Sequence, residues 1–98
     1  MAVEFKDAWL ALFYEDDKHH KKIPSAIKTV LFRKIQMLDV AAHEDDLRIP
    51  PGNQFEHLIG NLIAWCSIRV NQQYRLIFRC SEGVAVDTYL DPHSYKNR

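Results

Sequence analysis

The chain carries no surplus of either charge, since 13 lysines and arginines meet 13 aspartates and glutamates. That excludes the simplest electrostatic form of a nucleic-acid binder, a chain with a large basic excess. A local basic patch stays open. Cysteine is scarce: Cys66 and Cys80 are the two, and no Cys-x-x-Cys pair occurs. They suggest neither a disulfide framework nor a zinc site, and a reducing, cytoplasmic compartment is the expectation. No apolar run approaches the roughly 20 residues that span a bilayer. The opening Met1-Ala2-Val3-Glu4-Phe5-Lys6-Asp7 has no apolar core of signal-peptide length. The expectation is a protein neither exported nor inserted, with no membrane partner. Internal repeats and low-complexity tracts are also missing. What is present is 98 residues, 47% of them hydrophobic, which predicts one soluble globular domain over residues 1–98.

The texture changes once, near Pro50-Pro51-Gly52-Asn53. Before that point the periodicity is helical, and after it the period is two. Met1 to Phe5 reads as a short first strand. Lys6 to Tyr14 places Ala8, Trp9, Leu12 and Phe13 on one helical face. Glu15 to Lys22 is polar and reads as a solvated helix end or loop. The adjacent His19 and His20 invite a metal, but consecutive helical residues point about 100° apart and rarely share an ion. Ile23-Pro24-Ser25 starts a second helix. Its stripe is Ile27, Val30, Leu31, Ile35 and Leu38, with Lys28, Arg33 and Lys34 off the stripe, and it ends near Asp39. Phe32 and Met37 read as packing or partial exposure. Ala41 to Leu47 holds one more helical turn. Arg48 to Asn53 is a stiff turn, because each proline fixes its own φ and restricts its predecessor. Gln54 to Leu58 reads as a strand. Three clearer strands follow at Trp65–Val70, Tyr74–Cys80 and Val84–Leu90, joined by Asn71-Gln72-Gln73 and Ser81-Glu82-Gly83. Such short connections predict an antiparallel meander.

Alternation sorts the strand side chains onto two faces. Cys66, Ile68, Val70, Leu76, Phe78, Cys80, Val84, Val86, Thr88 and Leu90 form the expected core face. The opposite face gathers Trp65, Ser67, Arg69, Arg75, Ile77, Arg79, Asp87, Tyr89 and Asp91. His93 joins them if the chain stays extended beyond Pro92. From Asn61 onward the cations are Arg69, Arg75, Arg79, Lys96 and Arg98, against Glu82, Asp87 and Asp91. Such a face can attract phosphate although the whole chain is neutral. It can equally be an ordinary polar sheet surface with weak cross-strand ion pairs.

Several strings resemble the HigB-type toxins, or plasmid-maintenance killer proteins, of the RelE/ParE superfamily. They are Asp46-Leu47-Arg48-Ile49-Pro50-Pro51-Gly52-Asn53, Phe55-Glu56-His57-Leu58-Ile59-Gly60, and Cys66-Ser67-Ile68-Arg69-Val70-Asn71-Gln72-Gln73-Tyr74-Arg75-Leu76-Ile77-Phe78-Arg79. The opening Phe5-Lys6…Leu12-Phe13 and the closing Asp91-Pro92-His93 resemble the family's ends. The resemblance implies an α+β fold, a small RelE-like antiparallel sheet with two N-terminal helices packed on one face. It implies a toxin of a type II toxin–antitoxin system that acts as a ribosome-dependent endoribonuclease on translated messenger RNA. The partners it implies are a helix-turn-helix (HigA-type) antitoxin, the translating ribosome with its mRNA, and operator DNA reached only through the antitoxin.

RNA supplies its own 2′-hydroxyl nucleophile, so no metal or other cofactor is expected. A base takes the 2′-OH proton, cations stabilise the phosphate, and an acid protonates the 5′-oxygen. On the resemblance, Arg75 is the phosphate clamp, because guanidinium binds phosphate bidentately and keeps its charge. His93 matches the family's C-terminal histidine and is the acid–base candidate. Asp91 orients or charges that imidazole, or else pairs with an arginine. Arg69, Arg79, Tyr89, Tyr95 and Lys96 are the expected RNA contacts. The chain departs from the family pattern at Ile59 and Asn61, where many relatives carry lysine and aspartate, and at Pro92, where they carry tyrosine. His57 lies one residue from where some relatives place a catalytic histidine, and it reads either as compensation or as an exposed strand residue. Two other functions fit the same fold: a ParE-like toxin that blocks gyrase by binding alone, and a catalytically disarmed toxin kept as antitoxin partner or co-repressor.

Overall fold

The computed structural model describes residues 1–58 and 64–92. Strand β1 (Ala2–Phe5) leads into helix α1 (Ala8–Asp16), then helix α2 (Lys28–Val40), a two-residue strand β2 (Glu56–His57), and β3 (Trp65–Arg69), β4 (Arg75–Ser81) and β5 (Val84–Asp91). Short 3₁₀ turns at Ser25–Ile27, Glu44–Arg48 and Pro51–Asn53 fill the connections. The five strands lie in the order β1-β5-β4-β3-β2.

The expected antiparallel meander of β3, β4 and β5 is present, and a parallel β1 at its edge makes the whole sheet mixed. β2, β3, β4 and β5 pair antiparallel in succession, but β1 runs parallel to β5. A parallel neighbour needs a long crossover, and here nearly the whole chain lies between the two strands. Leu10 and Phe13 of α1 and Ile27, Leu31, Ile35 and Leu38 at α2 share one buried cluster with Ile68, Leu76, Phe78, Ala85 and Leu90 of the sheet. The helices therefore cover one face, as an amphipathic helix and a one-sided sheet require of each other. Among the described residues no helix is long and apolar enough to cross a membrane.

The α2 stripe packs as its spacing predicts. The α1 face does not: Leu10 and Phe13 are buried, whereas Leu12 is 44% exposed. Its short sequence is apolar nearly all round, so periodicity alone could not choose the inner face. Asp17 ends α1 in the left-handed conformation at φ 55°. The β4–β5 hairpin turns through Glu82 (φ 52°) and Gly83 (φ 80°), the double positive φ of a tight two-residue turn. In the β3–β4 loop, Asn71 Oδ1 accepts the backbone N–H groups of Gln73 (2.8 Å) and Tyr74 (2.7 Å).

The last strand departs from simple alternation. Ile77 pairs with Tyr89 and Arg79 with Val86, so β5 carries an extra residue opposite Phe78. Asp87 sits at this bulge with φ 53°. The bulge resets the faces, as one extra residue must. Ala85, Thr88 and Leu90 are buried, while Val86 lies opposite Arg79 and Val84 opposite Ser81, on the outer face. Val84 and Val86 were expected in the core, and Ala85 takes that place.

Candidate functional site

The face away from the helices is organised in rows by strand register. One row runs Arg69–Arg75–Asp91 across β3, β4 and β5; the next runs Glu56–Ser67–Ile77–Tyr89; the third pairs Trp65 with Arg79 and Val86. Side chains directly opposite on neighbouring strands share a face and stand about 5 Å apart at Cβ. The sequence pattern had therefore assembled most of this group correctly.

Arg75 is the centre. Its Nε donates to Ser67 Oγ at 3.0 Å and its Nη2 to the Gln54 carbonyl at 2.8 Å. Glu56 Oε1 lies 3.9 Å from Nη2. Arg75 is only 6% exposed, yet the helices lie on the other side of the sheet. Its guanidinium is thus fixed in a polar floor, with its direction set by β3 and by the Gln54 turn. Arg69 stands directly opposite it. Like charges in that position repel, and an anion held between them would relieve the repulsion. Arg69 Nε donates to the Asn71 carbonyl at 3.1 Å.

Two aromatic rings roof the neighbouring rows. Trp65 and Tyr89 belong to β3 and β5, and their rings meet across β4 at 5.9 Å, edge to face. Ile77 and Ser67 are accordingly buried on this face. Arg79 lies over the Trp65 ring at 5.4 Å and holds Asp87 Oδ2 at 2.6 Å. Lys6 Nζ lies over the Tyr89 ring at 4.7 Å. Burial, then the Asp91 charge, raises the Tyr89 hydroxyl above its ordinary pKa. Rings flanked by cations are surfaces on which bases stack.

Sequence reading had not named Lys6 or Trp65 as site residues. Trp65 was findable, since its alternation matches Ser67 and Arg69. Lys6 was not, because its place follows from the parallel pairing of β1 with β5, seen also in its N–H donated to the Thr88 carbonyl at 2.9 Å. Glu56 comes to Arg75 and Asp87 to Arg79. His93, Tyr95 and Lys96 lie outside the described residues, as do Ile59 and Asn61.

His57 does not join Arg75. It sits opposite Cys66, its Nε2 2.9 Å from Glu44 Oε2 and its Nδ1 3.4 Å from Cys66 Sγ. His20 stacks on Trp9 at 4.9 Å and accepts the Lys22 N–H. The cysteines are poor nucleophiles, because burial chiefly pushes the Cys66 thiol up to about 11 and the Cys80 thiol up to about 12, far from thiolate at neutral pH.

Known proteins resemble this chain along almost its full length. The profile of the family described as RelE-like toxin of type II toxin-antitoxin system HigB matches residues 3–93. Toxin HigB-1 of Vibrio cholerae serotype O1 is 68% identical over 95 residues, covering 97% of this chain and 100% of that protein. An uncharacterized protein of Haemophilus influenzae is 44% identical over 91 residues, covering 93% of this chain and 90% of its own.

Proposed function

Because the chain belongs to the RelE-like HigB family of type II toxins, we propose that it is an endoribonuclease that cuts messenger RNA on the translating ribosome. A type II toxin implies an antitoxin protein as partner. In this reading that partner is a helix-turn-helix protein, operator DNA is reached only through it, and the setting is the cytoplasm.

The observation that carries the reading is the fixed Arg75 guanidinium opposite Arg69, beside a roof of Trp65 and Tyr89. A backbone phosphate placed over Arg69 and Arg75 would leave its bases within reach of the rings. The 2′-oxygen then forms a bond to phosphorus while the bond from phosphorus to the 5′-oxygen breaks. One proton leaves the 2′-hydroxyl for a base, and another reaches the departing 5′-oxygen from an acid. The products are a 2′,3′-cyclic phosphate and a 5′-hydroxyl. Arg75 stabilises the charge gathering on the phosphoryl oxygens. Asp91, in register with Arg75, and His93 beyond it serve the proton transfers. Arg79, Tyr95 and Lys96 contact RNA or ribosome backbone. No metal or other cofactor is required.

The test is expression without antitoxin, followed by mapping of message ends. Codon-positioned cuts in translated messages, with untranslated RNA spared, are expected. His93→Gln should slow cleavage roughly 10²–10⁴-fold. Growth arrest with intact messages and broken or relaxed DNA would replace the nuclease with a gyrase-binding toxin. Normal growth with soluble protein present would mean a disarmed toxin.

A further inference from the structure

On the opposite side of the sheet, the fold gathers soft ligands that sequence spacing kept apart. Cys66 lies on β3 and Cys80 on β4, and Glu44 opens the 3₁₀ turn that leads toward β2. One ligand atom from each lies within 4.8 Å of the other two, the only such group of three among the described residues. Sequence spacing suggested no zinc site at the two cysteines; the fold brings them together beside a carboxylate. Cys66 is 2% exposed and Cys80 partly buried, so both sulfurs are presented from rigid strand positions.

We propose that Glu44, Cys66 and Cys80 bind one thiophilic divalent ion of the zinc type. Thiolate sulfur sits about 2.3 Å and carboxylate oxygen about 2.0–2.2 Å from zinc. Tetrahedral ligands at those lengths stand roughly 3.4–3.8 Å apart. From separations of at most 4.8 Å, the three atoms need to draw in by roughly 1.4 Å at most. The two thiolates favour soft or borderline ions, and the carboxylate adds a third ligand of a kind zinc accepts.

His57 is a positioning residue. Its Nε2, 2.9 Å from Glu44 Oε2, orients the carboxylate as outer partners of metal ligands commonly do. Glu44 and Cys80 also line a cavity of about 120 Å³, bordered by Met1, His43, Glu82 and Gly83, which leaves room for water as a fourth ligand. Each thiol loses its proton to solvent as the ion binds. The ion would tie the turn at Glu44 to two central strands, on the side of the sheet away from Arg75. Its role is therefore structural, and it is independent of the nuclease reading.

The test uses the full-length chain under reducing conditions, titrated with Zn²⁺ against a chromophoric chelator and separately with Co²⁺. One equivalent should bind, with the intense absorption of cobalt–thiolate charge transfer, and Zn²⁺ at about 100 times its Kd should raise Tm by roughly 13 °C. Cys80→Ser and Glu44→Gln, both at less buried positions than Cys66, should lose the Tm shift while remaining folded by circular dichroism. Cys80→Ser should also lose most of the thiolate band. His57→Gln should keep that band but weaken binding about 10–100-fold. Absence of the band in the wild type, or equal Zn²⁺ binding and Tm shift in wild type and Cys80→Ser, would overturn the site.

Discussion

Arg75→Ala separates a structural role of this side chain from a chemical one. Among its described contacts, Arg75 donates charge-assisted hydrogen bonds to Ser67 Oγ and to the Gln54 carbonyl. Such bonds contribute about 1.5–3 kcal/mol each. Removing the guanidinium also ends the cost of burying it, and water can reach the carbonyl of the exposed Gln54. The net loss is therefore about 2 kcal/mol, or roughly 10 °C in Tm for a chain of this size. A domain of ordinary stability, at least about 5 kcal/mol, still stays more than roughly 99% folded after that loss. Loss of a preorganised donor at the reacting phosphate slows catalysis about 10²–10³-fold. Unfolding cannot produce a deficit of that size. The assay is single-turnover cleavage of a ribosome-bound message, normalised to folded toxin, alongside urea denaturation. Arg75→Lys, which keeps the charge but loses the fork, should fall between the two in rate. Cleavage by Arg75→Ala at near the wild-type rate would refute the assignment.

Three further outcomes follow from other contacts. Asn53 is fully buried, and it accepts from Lys34 Nζ at 2.6 Å and donates to the Leu47 carbonyl at 3.1 Å. Asn53→Ala should cost about 3 kcal/mol in urea denaturation, since it strands a half-buried ammonium and a carbonyl. Asp87→Asn keeps a residue that tolerates positive φ but releases Arg79. Stability should change by less than about 1 kcal/mol, because the pair is half-exposed, while retention on a short RNA should increase and become more salt-dependent. Tyr14 donates to Asp39 Oδ2 at 2.9 Å, and burial first, then Asp39, raises its pKa from 10.0 to about 12. The folded state therefore holds this proton more tightly than the unfolded one. Its contribution is complete below pH 10 and is lost as pH rises to about 12. Over that window wild type should lose more stability than Tyr14→Phe; parallel curves would contradict the assignment.

Much of this protein was decided within short windows of sequence. The stripe on α2, the alternation on β3 and β4, and the Glu82-Gly83 turn each follow from local backbone geometry. Alternation alone put Arg69, Arg75 and Arg79 on the face away from the helices. The tertiary structure decided whatever depended on register or distance along the chain. The bulge at Asp87 moved Val84 and Val86 outward, and the parallel docking of β1 brought Lys6 to Tyr89. Packing, not periodicity, chose Leu10 over Leu12. The meeting of Glu44, Cys66 and Cys80 needed three separate elements. Periodicity reports which side of its own strand or helix a residue occupies. It carries no information about which distant residue arrives there, because that is set by how the assembled layers close upon one another.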